Sequence, residues 1–180
     1  MATLHLLAIV GSLRSGSVHA AAARTAADLV GDGVALTIRD VSDIPLFNGD
    51  DEVSGPPAAV VSLSDEVAAC DGVVLFSPEY NSSFPAVTKN VIDWLSRPPR
   101  AWAGTPIALV SLTPGPRAGL GLREHFSAIM ARQPTRLYET LGLGNSGDRI
   151  GPDGELSDEA TRIELAEFLT GFVQFCRSDG

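Results

Sequence analysis

Four short runs of almost unbroken apolar residues restrict the fold of this chain more than any other feature: Leu4 to Val10, Val34 to Ile38, Val73 to Phe76 and Ile107 to Ser111. Each is rich in Val, Ile and Leu and is bounded by Gly, Pro or Asp. A half-buried strand alternates apolar with polar residues, so continuous runs predict strands covered on both faces. Helical spacing fills the gaps. Val18, Ala21, Ala22, Thr25, Ala26 and Leu29 form one stripe, with Arg24 and Asp28 opposite and Gly31 and Gly33 as stops. The small alanines let that helix lie close to a sheet.

A second helix is expected from Ala58 to Ala69 and a third from Pro85, a residue preorganised for a first turn, with Val87, Val91, Trp94 and Leu95 on one face and Pro98-Pro99 as its end. A fourth helix, Leu120 to Arg132, leads to a fifth strand around Thr135 to Tyr138. The last helix starts behind Ser157, with Asp158 and Glu159 in its first turn, and is expected to bury Ile163, Ala166, Leu169, Val173 and Cys176. Asn48 to Pro57, with Asp50, Asp51 and Glu52, reads as a solvated loop. Strand and helix alternate five times, which right-handed crossovers convert into a doubly wound α/β domain, one parallel sheet with helices on both faces, spanning residues 1–180. Ligands of such sheets sit at the carboxyl ends of the strands, so the loops after the first, third and fourth strands are where chemistry is sought.

Composition narrows the partners. With 44% hydrophobic and 19% charged residues the chain can bury a core, and 13 Lys and Arg against 22 Asp and Glu give a net charge of −9. That balance repels polyanions, which disfavours nucleic acid and anionic membranes as partners. The start lacks the basic n-region of a signal peptide, and no stretch has the roughly 18 apolar residues of a membrane span, so a soluble cytoplasmic protein is expected. Cys70 and Cys176 are the only cysteines and read as two buried thiols. His5, His19 and His125 have no metal-site spacing, and no metal is expected.

Directly after the first strand comes Gly11-Ser12-Leu13-Arg14-Ser15-Gly16-Ser17, with a helix opening behind it. Orphan N–H groups, the helix dipole, three hydroxyls and a guanidinium make an anion cradle. No Lys follows the second glycine as in a Walker loop, and the G-x-G-x-x-G spacing of dinucleotide folds is absent. A plain Ser/Gly turn with a helix cap is the competing reading. The loop after the third strand, Ser77-Pro78-Glu79-Tyr80-Asn81-Ser82-Ser83-Phe84-Pro85, suits a flat, heteroatom-rich ring: prolines stiffen it, amides meet ring heteroatoms and Tyr80 covers or edges a π-face. A turn followed by a helix start is its simpler alternative. Glu79 has no nucleophile or His placed to pair with it, so acid/base hydrolysis ranks low.

Gly11-Ser12-Leu13-Arg14 with Ser17, then Pro78-Glu79-Tyr80-Asn81-Ser82 with Pro85, Lys89-Asn90 and Ile92 to Pro98, resemble the NADPH-dependent FMN reductase family of flavodoxin-like proteins. The resemblance covers nearly the whole chain. It implies a five-stranded sheet of order 2-1-3-4-5, with Ser12, Arg14 and Ser17 on the FMN phosphate, and Pro78, Glu79, Tyr80, Asn81 and Ser82 along the isoalloxazine ring. Two departures stand out. Family members often carry Asn where this chain has His19, which adds a hydrogen-bonding group or a charge to the phosphate site. Their loop after the fourth strand is usually glycine-rich, whereas Thr113-Pro114-Gly115-Pro116-Arg117-Ala118-Gly119 is stiffer and contains an Arg.

The activity implied is hydride transfer from NADPH or NADH to FMN and on to a small-molecule acceptor, a free flavin, quinone, azo compound or metal oxyanion, with ping-pong kinetics. The flavin carries the chemistry, so no side chain is assigned a catalytic role. Backbone N–H groups around Tyr80 and Gly115 would meet the charge that develops on the ring, and Arg117 would either assist them or meet the nicotinamide cofactor's phosphates. The rival is a flavodoxin-like electron carrier, which the acidic surface fits. Trp94, Leu95 and the segment Pro98 to Trp102 carry more apolar surface than a lone surface helix requires, which predicts a homodimer or homotetramer.

Overall fold

The computed structural model describes residues 2–146, 149–151 and 155–178. Along them run β1 (Leu4–Val10), α1 (Val18–Leu29), β2 (Val34–Asp40), α2 (Gly49–Ser54), α3 (Ala58–Ala69), β3 (Gly72–Phe76), α4 (Ala86–Leu95), β4 (Pro106–Leu112), α5 (Leu120–Met130), β5 (Arg136–Leu143) and α6 (Glu159–Arg177). The five strands pair in parallel in the order β2-β1-β3-β4-β5. Chain direction across the sheet reverses between β1 and β3, and a crevice opens there at the carboxyl ends.

Alternate residues of the central strands feed two cores. Leu7, Ile9, Val73, Leu75, Ile107 and Leu109 face α3, α4 and α5, while Leu6, Ala8, Val74, Phe76, Ala108 and Val110 face α1 and α6. Ala22, Ala23 and Ala26 of α1 are completely buried, and their lack of bulk brings the helix axis close to the sheet. β3 and β4 are buried along their whole length.

β2 departs from the expectation of a strand covered on both faces. It is half-buried, with Ile38 39% exposed, because it is an edge strand and its apolar run exceeds what its neighbours cover. The segment expected as a solvated loop contains α2. Asn48 Oδ1 accepts from Asp50 N at 3.1 Å, and Asp50, Asp51 and Glu52 occupy the first turn, where the dipole favours them. It buries no side chain, so the solvation was read correctly and the helix was not.

The buried stripe of α6 runs through Thr161, Leu165, Phe168, Leu169, Phe172 and Val173, and Ile163 lies on the opposite side, half exposed. Bulky aromatics at 168 and 172, which flank Tyr138 with ring centroids 5.5 Å away, set the helix phase. β5 extends five residues beyond Tyr138, past an irregularity in its register with β4 between Ile107 and Leu109. Cys70 and Cys176 are half-buried; desolvation pushes their thiols up to about 11 and about 12, so both stay protonated.

Trp94 and Trp102 use their aromatic surface inside the chain. Trp94 meets the Phe47 ring edge-on at 4.9 Å and donates its Nε1–H to Pro45 O at 2.8 Å, and Trp102 is completely buried. Of the apolar residues expected there for a subunit contact, Trp94, Leu95 and Trp102 are thus taken up by the chain's own core, while Pro98 and Pro99 stay exposed. Among the described residues, no helix is long and apolar enough to cross a membrane.

Candidate functional site

The first loop leaves the sheet at Gly11, whose N–H continues the ladder to Phe76 O at 2.8 Å. A Cβ at Gly11 would overlap the Thr88 hydroxyl, which donates to Gly11 O at 3.3 Å, so only glycine lets the loop turn this close to α4. Ser17 caps α1: its Oγ accepts from His19 N at 3.2 Å and Ala20 N at 3.3 Å. No acidic residue sits in that first turn, so the positive end of the helix dipole is not neutralised by its own side chains. Ser12 is buried and its hydroxyl has no partner among the described residues; Arg14 is exposed and equally unpaired among them.

His19 lies 3% exposed in the first turn of α1. Its Nε2 accepts from Leu112 N at 3.1 Å, joining the start of α1 to the end of β4. Desolvation lowers its pKa to about 4, against the pull of hydrogen bonds with the Ser77 and Leu112 backbone. The ring is therefore neutral at physiological pH, and the added charge that the sequence left open does not arise.

The loop after β3 folds into a two-residue hairpin. Tyr80 N donates to Ser83 O and Ser83 N to Tyr80 O, both at 3.0 Å, with Asn81 and Ser82 at φ 51° and 57° between them. Consecutive left-handed residues are what such tight turns demand, and Asn tolerates them. Three contacts pin this hairpin to α5. Glu79 Oε2 accepts from Leu122 N at 2.8 Å, Ser83 Oγ and His125 Nδ1 share a hydrogen bond of 2.8 Å, and Ser82 packs on Gly121, where a Cβ would come within 2.8 Å of Ser82 O. Since the N-cap residue of α5, Gly119, has no side chain to cap it, Glu79 supplies the cap from another loop.

These loops enclose one cleft of about 230 Å³ at the carboxyl ends of the strands, and it brings together Ser12, Arg14, Ser17, His19, Pro78, Glu79 and Tyr80. Asn81, Ser82 and Gly115 are not on its wall. The hairpin carries the first two toward α5, and Gly115 O accepts from Thr113 Oγ1 at 3.2 Å. The β4 loop contributes Leu112, Thr113 and Pro114 instead. Arg117 is exposed and does not line the cleft. Ser146, from the loop after β5, completes the wall; the sequence carried no signal for it, since a strand ending at Tyr138 leaves Ser146 far from the sheet. A second, more open chamber of about 400 Å³ shares Ser12, Arg14 and Tyr80 and is otherwise lined by Gly11, Leu13 and Pro85 to Val87.

One end of the cleft thus offers an unneutralised helix N-terminus, an unpaired guanidinium and a buried hydroxyl without a partner, a donor set for a phosphate dianion. Pro78, Tyr80, Leu112 and Pro114 supply apolar surface for a flat ring system. Phosphate donors and ring platform together fit FMN. Among the described residues no cluster of His, Cys, Asp and Glu could hold a metal ion.

Comparison with known proteins agrees with this geometry. The family model for NADPH-dependent FMN reductase matches residues 4–138. An NAD(P)H-dependent FMN reductase of Pseudomonas aeruginosa is 42% identical over 179 residues, covering 97% of this chain and 96% of its own length. A quinone reductase of Pseudomonas putida is 35% identical over 173 residues, covering 94% and 92%. The solved structure of FerB, a flavoenzyme NAD(P)H:(acceptor) oxidoreductase from Paracoccus denitrificans, superposes with a TM-score of 0.84 at 26% identity and 97% coverage of both chains. With its parallel sheet, its two motif loops meeting in one cleft and a family match over three quarters of its length, the chain belongs to the NADPH-dependent FMN reductase family.

Proposed function

We propose that this protein is a single-domain, cytoplasmic, NAD(P)H-dependent FMN reductase whose physiological acceptor is a small quinone-like molecule. The observation that supports the site assignment is the meeting, in one cleft, of the Ser12 hydroxyl and the Arg14 guanidinium, which have no partner among the described residues, with the Pro78–Tyr80 platform. Ser12, Arg14 and the Ser17 hydroxyl hold the phosphate by charge-assisted hydrogen bonds at the positive end of α1, whose His19 and Ala20 amides are already capped by Ser17 Oγ. His19 does not reach it through Nε2, which is already committed to Leu112 N; it fixes the distance between the phosphate loop and the β4 loop.

Tyr80 and Pro78 present one side of the cleft as a rigid apolar face, and the β4 loop borders it from Leu112 to Pro114. Bound FMN supplies the two-electron chemistry, taking hydride from NAD(P)H and returning electrons to the acceptor. The protein's own contribution is position: Pro78, Tyr80 and Pro114 would hold the ring, and backbone amides of the surrounding loops would stabilise the charge that develops on it. Glu79 spends its carboxylate on the Leu122 amide, so it acts as a cap and not as a proton donor. Asn81 and Ser82 contribute by forming the turn that aims Tyr80.

Leu13 is 61% exposed and Tyr80 50% exposed at the rim of the open chamber next to Pro85 and Val87, and a second copy of the chain covering this rim makes a homodimer. Light scattering at micromolar concentration reads this directly. Anaerobic addition of NADPH to the FMN-loaded protein tests the reductase activity: the visible flavin band bleaches within turnover time and a quinone restores it. A carrier without reductase activity would keep its colour under NADPH alone.

A further inference from the structure

We infer that the Ser146 hydroxyl, presented by the loop after β5, donates a hydrogen bond to the ribityl-phosphate tail of the bound flavin, so that four loops and not three bind the cofactor. The inference rests on the FMN reading of the cleft. Ser146 is 2% exposed and lines the cleft, and its Oγ has no hydrogen-bond partner among the described residues. Thr25, Trp102, Ser111 and Thr135 also lack a partner for a side-chain N or O, but theirs are fully buried, unlike the hydroxyl of Ser146. What little of Ser146 remains accessible therefore includes its Oγ, and a nearly buried hydroxyl without a partner gains by meeting an acceptor that enters the cleft.

Its location on the wall singles out the tail. Ser146 N donates to Thr113 O at 3.0 Å, and Thr113 N donates to Leu143 O at 3.0 Å, so the β5 loop wraps around the Thr113 backbone. Gly144 tightens this wrap, since a Cβ there would stand 3.0 Å from Gly115 O. Thr113 follows Leu112, whose amide is held by His19 in the first turn of α1. Ser146 is thus tied by backbone contacts to the α1 end of the cleft, where the phosphate donors are, and the Pro78–Tyr80 platform belongs to the other wall. A serine hydroxyl there can donate to a phosphoryl oxygen or to a ribityl hydroxyl.

Flavin titration of the apoprotein and its Ser146→Ala variant, followed by fluorescence, tests this. The substitution leaves the Ser146 N–Thr113 O bond in place and removes only the hydroxyl. The FMN dissociation constant is expected to rise about five- to tenfold, the worth of one hydrogen bond. The thermal midpoint of the apoprotein stays level or rises, because no native partner is lost. A smaller loss for riboflavin than for FMN assigns the contact to the phosphate, and an equal loss assigns it to the ribityl chain; either supports the tail. An FMN affinity within about twofold of the parent, or an affinity loss matched by a lower apoprotein midpoint, overturns the inference. A parent protein that binds neither flavin overturns the FMN reading itself, a result separable from the other two.

Discussion

Glu79 and Leu122, 43 residues apart in sequence, are joined by a 2.8 Å hydrogen bond from the Leu122 amide to the Glu79 carboxylate. The bond ties the β3 loop to the first turn of α5, so the wall carrying Tyr80 and the helix behind the β4 loop move as one body. Replacing Glu79 by Gln keeps an acceptor oxygen, whereas Ala removes the cap. Glu79→Ala should lose about 1 kcal/mol of stability in urea unfolding, and Glu79→Gln only part of that. In stopped-flow reduction by NADPH, Glu79→Gln should keep most of the parent's rate and show the same pH profile. A large rate loss with FMN still bound would show that Glu79 takes part in the chemistry.

Arg14 carries the charge of the phosphate site; its carbonyl accepts from Ser17 N at 3.1 Å, but its guanidinium makes no hydrogen bond or ion pair among the described residues, so the side chain is left for the ligand. Arg14→Ala should weaken FMN binding by about 1.5 to 3 kcal/mol, the range for a hydrogen bond to a charged group. Riboflavin affinity and the apoprotein's thermal midpoint should not change. Isothermal titration with the two flavins separates a phosphate contact from a general loss of the fold.

His19 makes stability depend on pH. Its folded pKa is about 4 against 6.5 for the free side chain. The unfolded chain therefore binds a proton between these values that the folded chain refuses. Stability from this source is whole above about pH 6.5 and falls as pH drops toward 4, by about 3 kcal/mol in total. Asp43 and Asp158, lowered by hydrogen bonds from Arg39 and from Thr161, titrate below that window. Urea unfolding at about pH 7 and about pH 5 should differ by about 2 kcal/mol more in the parent than in His19→Asn. Equal slopes in the two proteins would refute the buried neutral imidazole.

Gly121 lies in α5, where exchanging glycine for alanine ordinarily gains up to about 1 kcal/mol. Here the new Cβ would approach Ser82 O within 2.8 Å and Ser82 Cβ within 2.9 Å. The hairpin backbone must yield, so Gly121→Ala should destabilise by about 1 to 3 kcal/mol and loosen flavin retention by shifting Tyr80. Tyr80→Ala, by contrast, should weaken retention with little cost to the apoprotein, since the ring is half exposed without its ligand. Denaturation curves and dialysis of bound flavin distinguish the two variants.

The sequence was most legible where the determinant is local. Leu4–Val10, Val18–Leu29 and Ala58–Ala69 fall at the bounds read from their patterns, because apolar runs, helical spacing and glycine stops act over a few residues. The two motif loops were also legible, and seven of the ten residues assigned to the site line its cleft. Position within the sheet was not: Val34 to Ile38 is as apolar as a central strand but sits at an edge. The phase of α6 turns on which aromatics meet Tyr138, and the extent of β5 on pairing across a register shift, both matters of distant neighbours. Asn81 and Ser82, placed along the ring by their motif, form the turn beside Tyr80 and do not line the cleft, a matter of backbone geometry that the motif does not spell out.

The first turn of α1, with a serine cap and no carboxylate, presents its positive pole to solvent through a narrow cleft. Any small oxyanion in the medium can compete there for the same hydroxyls and the same guanidinium. The apparent affinity for FMN is thus a property of the buffer as well as of the protein: inorganic phosphate or sulfate lowers it, while riboflavin, which has no phosphate, is indifferent to either. In a cell rich in phosphate, retention of the flavin then depends on the ring platform and the ribityl contacts, which no simple anion can imitate.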